Sequence, residues 1–444
     1  MGDVKKGESG MVRASPVIRR PSPHFKALPP LALYIHIPWC VRKCPYCDFN
    51  SHEARGAIPE EDYIAALVAD LDAAAPLTWG RKVHTVFVGG GTPSVFSAKS
   101  IDAILAAVRA RLPLAADAEI TMEANPGTFE AEKFRDLRAA GVNRLSIGIQ
   151  SFNPRLLKAI GRVHDDNEAR RAIEIAGRNF DNVNLDLMYA LPAQTAEEAL
   201  GDIETAISFS PRHVSAYQLT LEPNTRFHRY PPRLPDDDTA AAMTEAIEQT
   251  LAAAGYEHYE VSAFASRTGR APAQGPATDP PAACCPLPVA ARSARCAHNL
   301  NYWTFGDYLG IGAGAHSKLS FPDRIVRQMR YRRPAQYMTC AVEGGAVERE
   351  QPVDAREVGF EFMMNALRLT GGVALSLFEE RTGVPLTAVL RGLAEAESRG
   401  LVARDHRRIA PTLMGQRFLN DLLQIFLSPA EGDAALAAPA FRST

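Results

Sequence analysis

The chain has 444 residues, of which 46% are hydrophobic and 23% are charged, and its formal net charge is -2. This length allows one large α/β domain and a smaller module, each with its own core. Because there is no global excess of positive charge, the composition argues against a general attraction to nucleic acid or to anionic membranes.

The cysteine content indicates a reducing compartment, and the first 30 residues do not resemble a secretory signal. The seven cysteines are an odd number, and three of them cluster within residues 40–47, which favours metal chemistry over a disulfide framework. Residues 1–30 are broken by prolines and lack the apolar run of a secretory signal, so we expect a disordered tail there and another at 428–444. No stretch approaches the roughly eighteen apolar residues of a transmembrane helix. The sequence therefore predicts a cytoplasmic protein without a transmembrane segment.

Residues 31–265 carry short apolar runs that alternate with helical periodicity, which predicts βαβ units and a parallel sheet. The six predicted strands are Leu31–Ile37, 83–88, 119–123, 143–149, 183–187 and 214–219. A seventh apolar stretch, 256–264, is the last one in residues 31–265.

The remaining chain divides into three regions. Residues 266–296 are rich in proline and alanine and are predicted to form an insertion loop that contains Cys284 and Cys285, for which we have no function. Residues 297–352 are predicted to form a connecting region. From 353 to 427 the pattern is helical with one small hairpin, which suggests a winged-helix-like module.

Three cysteines, Cys40, Cys44 and Cys47, lie in one loop directly after the first predicted strand. Three thiolates can bind three irons of a [4Fe-4S] cluster and leave the fourth iron open to a chelating ligand. A structural zinc site is the alternative, but it requires four ligands, commonly as two close pairs. The spacing therefore favours the cluster.

A glycine turn, Gly89 to Pro93, follows the second predicted strand and includes Gly90, Gly91 and Thr92. Unobstructed backbone N–H and C=O groups there could bind the amino and carboxylate ends of an amino acid, although a tight strand-to-helix turn explains the same residues. Glu123, Gln150 and Asp186 lie at or near the ends of later strands and would meet the same edge. Each is individually explained as a helix cap or a solvated loop residue, and Arg162 is equally ambiguous.

A polar-aromatic motif, His298-Asn299-Leu300-Asn301-Tyr302-Trp303, follows the insertion. Histidine can be an axial ligand of heme iron, and aromatic rings can cover the macrocycle. By residue type alone, a packed turn is the better explanation.

Taken together, the cysteine spacing, the glycine turn and the six βα units resemble the radical S-adenosylmethionine (SAM) superfamily, with its partial (β/α)6 TIM-like barrel. Within it the chain is similar to the coproporphyrinogen dehydrogenase-like branch, and most similar to the heme chaperones of that branch, over residues 31 to about 427. The matching segments include 34–39, 46–51, 123–127, 148–152, 184–188, 298–303 and 361–367.

The resemblance implies that Cys40, Cys44 and Cys47 bind a [4Fe-4S] cluster. It implies a surrounding SAM site formed by Tyr34, Tyr46, Gly90, Gly91, Thr92, Glu123, Gln150, Arg162 and Asp186. His298 would bind heme, with Cys296 as a second conceivable contact, and the terminal module would act as a lid over the barrel rather than as a DNA-binding unit.

The resulting hypothesis is a heme chaperone that holds a [4Fe-4S] cluster, SAM and heme and transfers heme to an unknown acceptor protein. The alternative is an oxygen-independent coproporphyrinogen III dehydrogenase, whose pattern has a fourth cysteine where this chain has Phe49. Whether SAM is cleaved stays open, and no catalytic residue is assigned. The resemblance also implies a reductant and a homodimer, and no nucleic-acid partner is expected, since a solvated wing explains the local arginines at 399–408.

Overall fold

Six parallel strands form the centre of the molecule, and each overlaps a strand predicted from the sequence. The computed structural model describes residues 23–128, 131–267 and 293–427. Numbered along the chain, the first strands are β1 (Leu31–Ile37), β2 (Trp39–Cys40), β3 (His52–Glu53), β4 (Val83–Gly90), β5 (Leu114–Ala124), β6 (Arg144–Gln150), β7 (Val183–Tyr189) and β8 (His213–Gln218). β1 and β4 to β8 pair in chain order, all parallel. The sheet is covered on both faces, which explains the nearly continuous apolar runs.

Helices connect these strands and pack against the sheet. They are α1 (Glu60–Ala74), α2 (Ala98–Arg111), α3 (Ala131–Ala140), α4 (Pro154–Ala159), α5 (Asp166–Asn179), α6 (Ala196–Ser208), α7 (Arg226–Arg229) and α8 (Asp237–Ala253). Capping boxes fix the first turns of α5, through Asp165 and Glu168, and of α6, through Thr195 and Glu198. Each box satisfies backbone N–H groups that the helix itself leaves unpaired.

The sheet extends beyond the six parallel strands at both edges. On one side lie β10 (Ala263–Ser266) and then β9 (Tyr256–Glu260), both antiparallel additions. On the other side β11 (Asp307–Ile311) pairs parallel to β1 and is followed by β12 (His316–Phe321), β13 (Arg324–Arg330) and β14 (Val347–Pro352). Helices α9 (Ala297–Trp303) and α10 (Pro334–Val342) belong to this region. In the described ranges the edge strands β9 and β14 do not pair with each other, so the barrel is open, as predicted for a partial barrel.

Two expectations about the sheet differ from the structure. The apolar stretch 256–264 forms β9 and the start of β10, because the chain turns at Val261 and Ser262. The region 297–352, expected only to connect two units, contributes four strands to the main sheet.

The terminal module combines helices with a three-stranded sheet, in agreement with the winged-helix-like prediction. Its elements are α11 (Ala355–Ala366), β15 (Val373–Ala374), α12 (Ser376–Thr382), α13 (Leu390–Ser398), β16 (Val402–Arg404), β17 (Arg408–Pro411), α14 (Leu413–Arg417) and α15 (Leu419–Gln424). Its buried core includes Phe362, Phe378 and Leu393 and is continuous with Phe305 from the barrel side. The module is therefore packed directly against the segment that follows the His298 motif.

The predicted tails and insertion lie mostly outside the described residues. Residues 1–22, 268–292 (with Cys284 and Cys285) and 428–444 are in that category. Residues 23–30, which we assigned to the first tail, are part of the fold: Phe25 is buried in the core of the terminal module, and the His24 N–H donates to the carbonyl of Gly383. Across the described ranges, every helix is too short or too polar to span a bilayer.

Candidate functional site

A cavity of about 470 Å³ opens at the carboxyl ends of the parallel strands and continues into the barrel. Eleven residues singled out from the sequence line it: Cys40, Cys44, Cys47, Tyr46, Gly90, Gly91, Thr92, Glu123, Gln150, Arg162 and Asp186. Two others, Tyr34 and His298, are not part of its lining. The structure thus brings the cysteine loop, the glycine turn and the polar strand ends to one edge of the sheet, where parallel α/β barrels place their active sites.

The cysteine loop is held in place by hydrogen bonds from its own side chains. The Lys43 ammonium donates to the carbonyls of Phe49 and Ser51, at 3.1 Å each. Asn50 Nδ2 donates to the carbonyls of Ala313 and Arg332, which ties the loop to the segments that follow β11 and β13. Cys40 is buried, whereas Cys44 and Cys47 are half-buried. The loop therefore presents its thiols from a fixed frame.

Charged and polar groups surround the three thiols. Arg162 Nη1 lies 3.8 Å from the sulfur of Cys44, and Ser51 Oγ lies 3.7 Å from the sulfur of Cys47. Burial raises the pKa of the Cys40 and Cys47 thiols. A bound cation would oppose that shift, because a coordinating thiol loses its proton.

The arrangement of the thiols bears on whether the loop would hold an iron-sulfur cluster or a single metal ion. Among the residues that the structure describes, no three His, Cys, Asp or Glu side chains converge where one metal ion could be held. Zinc would require such convergence, whereas thiolates that each bind a different iron of a cube do not. Three thiols that line one cavity are compatible with a cluster.

The glycine turn after β4 passes very close to the strand before the cysteines. A Cβ at Gly91 would lie 2.5 Å from the carbonyl oxygen of Trp39, and one at Gly90 would lie 2.7 Å from the ring of His36. Gly90 also has φ of 121°, a conformation that favours glycine. The Gly91 and Thr92 N–H groups donate to the carbonyls of Ile37 and Trp39. These glycines are required for close packing between the turn and the cysteine loop.

Two half-buried carboxyl groups, of Glu123 and Asp186, face the cavity from β5 and β7. Glu123 Oε2 accepts a hydrogen bond from the Gly90 N–H at 3.0 Å, and burial, followed by the charge of Asp186, raises the pKa of Glu123 to about 8. Asp186 accepts from Ser146 Oγ at 2.7 Å and from Asn184 Nδ2 at 2.8 Å, and burial raises its pKa as well. Carboxyl groups in such a site suit a ligand that offers an amine, hydroxyl groups or a positive charge.

Gln150 and Arg162 also line the cavity at the carboxyl ends of the strands, the edge that we call the rim. Gln150 has φ of 68°, which is unusual for a residue other than glycine, and it follows a register shift between β6 and β7. Arg162 Nη2 donates to Asn125 Oδ1 at 2.8 Å and to the carbonyl of Gly148 at 2.6 Å. A Cβ at Gly148 would come within 2.7 Å of Asn125 Oδ1, so the absence of a side chain there admits the arginine.

Tyr34 and Tyr46 occupy different positions relative to the cavity. Tyr46 lines it, and burial raises the pKa of its hydroxyl. Tyr34 is half-buried and is not part of the lining: its hydroxyl lies 2.9 Å from Nδ1 of His36, and its ring stacks on Phe87 with centroids 6.3 Å apart. Burial, followed by the charge of Glu123, raises the pKa of Tyr34, so Tyr34 lies near a residue that lines the cavity.

His298 lies inside the barrel rather than on the outer surface. It is 2% exposed, its Nδ1 lies 2.8 Å from Thr85 Oγ1, and its ring stacks on Phe87 at 5.0 Å. Its Nε2 has no hydrogen-bond partner among the described residues. Burial, and to a lesser extent Arg144, lowers the pKa of His298 to about 3, so the ring is neutral. The neighbouring Asn299 reaches the cavity directly.

Glu119 positions the start of the motif helix α9. Its carboxylate accepts from the backbone N–H groups of Ala297 and His298, at 3.2 and 3.1 Å, and from the thiol of Cys296 at 3.6 Å. Cys296 is 1% exposed and does not line the cavity. The structure therefore gives this cysteine a packing role at the helix start.

The polar interior of the barrel was missed in the sequence. Ser146, Asn184 and Ser215 line the cavity below the rim, and Arg144 lines it deeper still. The signal was present in β6, where every second residue (Arg144, Ser146, Gly148 and Gln150) faces the cavity. Of these, only Gln150 was singled out for its chemistry in the sequence.

Two family models match the chain. The radical SAM superfamily model matches residues 34–206, and the model of the HemN C-terminal domain matches residues 353–418. The first match covers the parallel part of the barrel except β8, and the second covers the terminal module except α15.

Curated relatives match almost end to end. The chain is 48% identical over 405 residues to the heme chaperone HemW of Escherichia coli (strain K12), covering 90% of this chain and 99% of that protein. It is 44% identical over 407 residues to the heme chaperone HemW of Haemophilus influenzae, with the same coverage. The heme chaperone HemW of Bacillus subtilis is 32% identical over 405 residues, 89% of this chain and 98% of its own.

Among solved structures, the coproporphyrinogen III oxidase HemN from Escherichia coli, described as a radical SAM enzyme, superposes with a TM-score of 0.72 over 90% of each chain. Because the two are only 23% identical, this similarity supports the fold alone.

Proposed function

The chain belongs to the heme chaperone HemW family within the radical SAM superfamily, and from this membership we propose that it binds heme and transfers it to an acceptor protein, with a [4Fe-4S] cluster and SAM held in the cavity. The observation that carries the proposal is the meeting of the three cysteines, the glycine turn and the polar strand ends at one cavity, with Asn299 of the heme motif on its wall. The acceptor is a protein partner that we do not identify.

Cys40, Cys44 and Cys47 would hold the cluster. Their thiols line one cavity from a loop that is fixed at Lys43 and Asn50. The guanidinium of Arg162 beside Cys44 would compensate part of the negative charge that three thiolates bring. When bound, such a cluster supplies an open iron that can take the amine and carboxylate of SAM, and it supplies an electron. A reductant is then required as a further partner.

Residues of the rim would hold SAM. The turn at Gly90, Gly91 and Thr92 brings backbone groups beside the cysteine loop, where the amino-acid end of the ligand would lie. Glu123 and Asp186 offer carboxyl groups to the amine and hydroxyl groups of the ligand. Gln150, Arg162 and Tyr46 enclose the site, and Tyr34 would support it through Phe87.

His298 would provide the heme contact through Nε2. The Thr85 hydroxyl beside Nδ1 fixes the ring, and burial keeps it neutral, which is the form that binds a metal. Because Nε2 points into the protein and not to the surface, heme would have to reach it from the cavity side or through a movement of α9. The terminal module packs against Leu300 and Trp303 of that helix, so we propose that the module acts as a lid over this path.

The test of the cofactor assignments is anaerobic reconstitution of the wild type and of Cys44→Ala. We expect about four irons and four sulfides per wild-type chain and a clear loss in the variant, because three thiolates are needed to hold the cube. Cys340→Ala is the matched control, since that cysteine is distant in sequence and does not line the cavity. Iron content that is unchanged in Cys44→Ala, or zinc without sulfide in the wild type, would reject the cluster.

The test of the heme assignment compares His298→Ala with Asn299→Ala in heme titrations followed by the Soret band. A shifted or weakened band in His298→Ala alone would support Nε2 as the ligand. Identical spectra and affinities for wild type and His298→Ala would place the heme elsewhere. Production of protoporphyrinogen from coproporphyrinogen III, with reductant and SAM, would favour the dehydrogenase alternative.

A further inference from the structure

The cavity does not end at the rim but continues along the inner face of β6. Gln150 lies at its outer end and Arg144 at its inner end, with Ser146 and Gly148 between them. At about 3.3 Å per residue, the strand separates the two ends by roughly 20 Å. Barrels of this general type normally fill their interior with bulky branched residues. Here the interior is instead lined with polar side chains that lead to a cation.

Three buried polar groups without partners lie at the level of this inner end, and of these Arg144 lines the cavity. Arg144 Nε, Thr121 Oγ1 and His298 Nε2 have no hydrogen-bond partner among the described residues, and these residues are 2%, 0% and 2% exposed. Thr121 pairs in register with Arg144 on β6 and with Phe87 on β4, and Phe87 stacks on His298. The three groups therefore lie around one level of the barrel.

The carboxylates near Arg144 are already occupied. Glu119 accepts from the start of α9 and from Cys296, and Asp186 accepts from Ser146 and Asn184. These carboxylates act on Arg144 through their charge from a distance. A buried guanidinium that has no bonded carboxylate is costly, because it loses water without gaining a partner. The guanidinium thus has donors to offer to a ligand.

We propose that the inner end of the cavity is a carboxylate site in which Arg144 and the Thr121 hydroxyl bind a propionate group of a tetrapyrrole. A guanidinium fork matches a carboxylate, and a hydroxyl beside it adds a second donor. The ligand class rests on the proposed function, since heme carries propionates, and coproporphyrinogen of the alternative function carries them as well. The unpartnered Nε2 of His298, on the same level, remains available for the metal of heme.

The test compares heme with its dimethyl ester, which has the same ring and iron but no carboxylate. Binding of each to the reconstituted wild type is followed by the Soret band. We expect the free acid to bind about 10- to 100-fold more tightly, as for a buried charge-assisted hydrogen bond. In Arg144→Gln this preference should fall close to one, and in Arg144→Lys it should fall only in part.

Arg42→Gln is the matched control, because Arg42 lines the cavity at its exposed mouth and its loss removes the same charge. It should retain the wild-type preference for the free acid. Coproporphyrin III and its tetramethyl ester form a second ligand pair. If the effect of Arg144→Gln is larger for that pair than for heme, the site serves coproporphyrin-type ligands, and if it is larger for heme, the site serves heme.

Three outcomes would overturn the carboxylate site: equal wild-type affinities for acid and ester, an unchanged preference in Arg144→Gln, or an equal loss in Arg42→Gln. The comparison of acid with ester in the wild type needs no variant, so it stands even if Arg144→Gln fails to fold. If the wild type binds neither tetrapyrrole, the proposed function fails instead. The site is then tested by sodium propionate, which should raise the melting temperature above that in sodium chloride in the wild type and by a smaller amount in Arg144→Lys. Equal melting temperatures in the two salts for the wild type would reject the site.

Discussion

Replacing Gly91 by alanine tests whether the glycine turn sets the position of the cysteine loop. The added Cβ would lie 2.5 Å from the Trp39 carbonyl oxygen and 2.8 Å from its carbon, so this backbone must retreat by about 0.9 Å to reach ordinary contact. The turn cannot simply move away, because the Gly91 and Thr92 N–H groups are bonded to the carbonyls of Ile37 and Trp39. Overpacking of this kind costs about 1–3 kcal/mol, and Cys40 follows the displaced residue directly.

The assay is iron and sulfide content together with SAM affinity after anaerobic reconstitution, with urea unfolding of the cofactor-free protein in parallel. We expect Gly91→Ala to lose stability by about 1–3 kcal/mol and to bind SAM at least several-fold more weakly. Gly127→Ala is the control, because Gly127 follows β5 as Gly91 follows β4, but its added Cβ meets nothing within 4 Å. Wild-type cluster content, SAM affinity and stability in Gly91→Ala would refute the reasoning.

Two further predictions concern buried polar groups. Burial raises the pKa of Glu123 from 4.5 to about 8, so the folded cofactor-free protein holds this proton more tightly than the unfolded chain. The contribution of Glu123 to stability is therefore lost as pH rises from about 4.5 to about 8. In Glu123→Gln, the free energy of unfolding, measured in urea at several pH values, should fall less steeply over this range than in the wild type. Equal pH slopes for the variant and the wild type would contradict this. Thr85→Val removes the hydroxyl 2.8 Å from His298 Nδ1 at nearly constant volume and should lower the free energy of unfolding by about 1–3 kcal/mol. A loss that persists in full in the His298→Ala background would show that the hydroxyl acts elsewhere.

The parallel core could be predicted from the sequence because its strands are buried on both faces. β1, for example, reads Leu-Ala-Leu-Tyr-Ile-His-Ile and is buried at all but one position. The outer strands could not be predicted in this way. β14 is mostly exposed and carries Glu348, Arg349 and Glu350, so its pattern resembles a loop, and only pairing with β13 makes it a strand.

Long-range ion pairs hid part of the fold from the sequence. Arg330 on β13 is buried against Asp70 of α1, and Lys318 on β12 is buried against Asp307 of β11. In a sequence, a lone arginine or lysine indicates a solvated position, because its partner is distant or unrecognised. These charges made residues 307–330 look like a connection rather than part of the sheet.

In the candidate site, too, features with a local sequence pattern could be predicted, whereas features that depend on distant residues could not. The cysteine loop and the glycine turn were found because each is a short segment with its own spacing. The inward orientation of His298 depends on Thr85 and Phe87 of β4, more than 200 residues away, and the carboxylate site proposed at Arg144 depends on alternate residues of several strands. No local pattern carries that information.

The most direct test of the proposed chaperone role is heme transfer. Wild-type protein, reconstituted with its cluster, loaded with heme and supplied with SAM and a reductant, is mixed anaerobically with a candidate apo-hemoprotein, and the two are then separated. We predict that heme is recovered on the acceptor from the wild type and that His298→Ala neither retains nor delivers it. Heme that stays on the wild type with every acceptor while coproporphyrinogen III is converted would contradict the account.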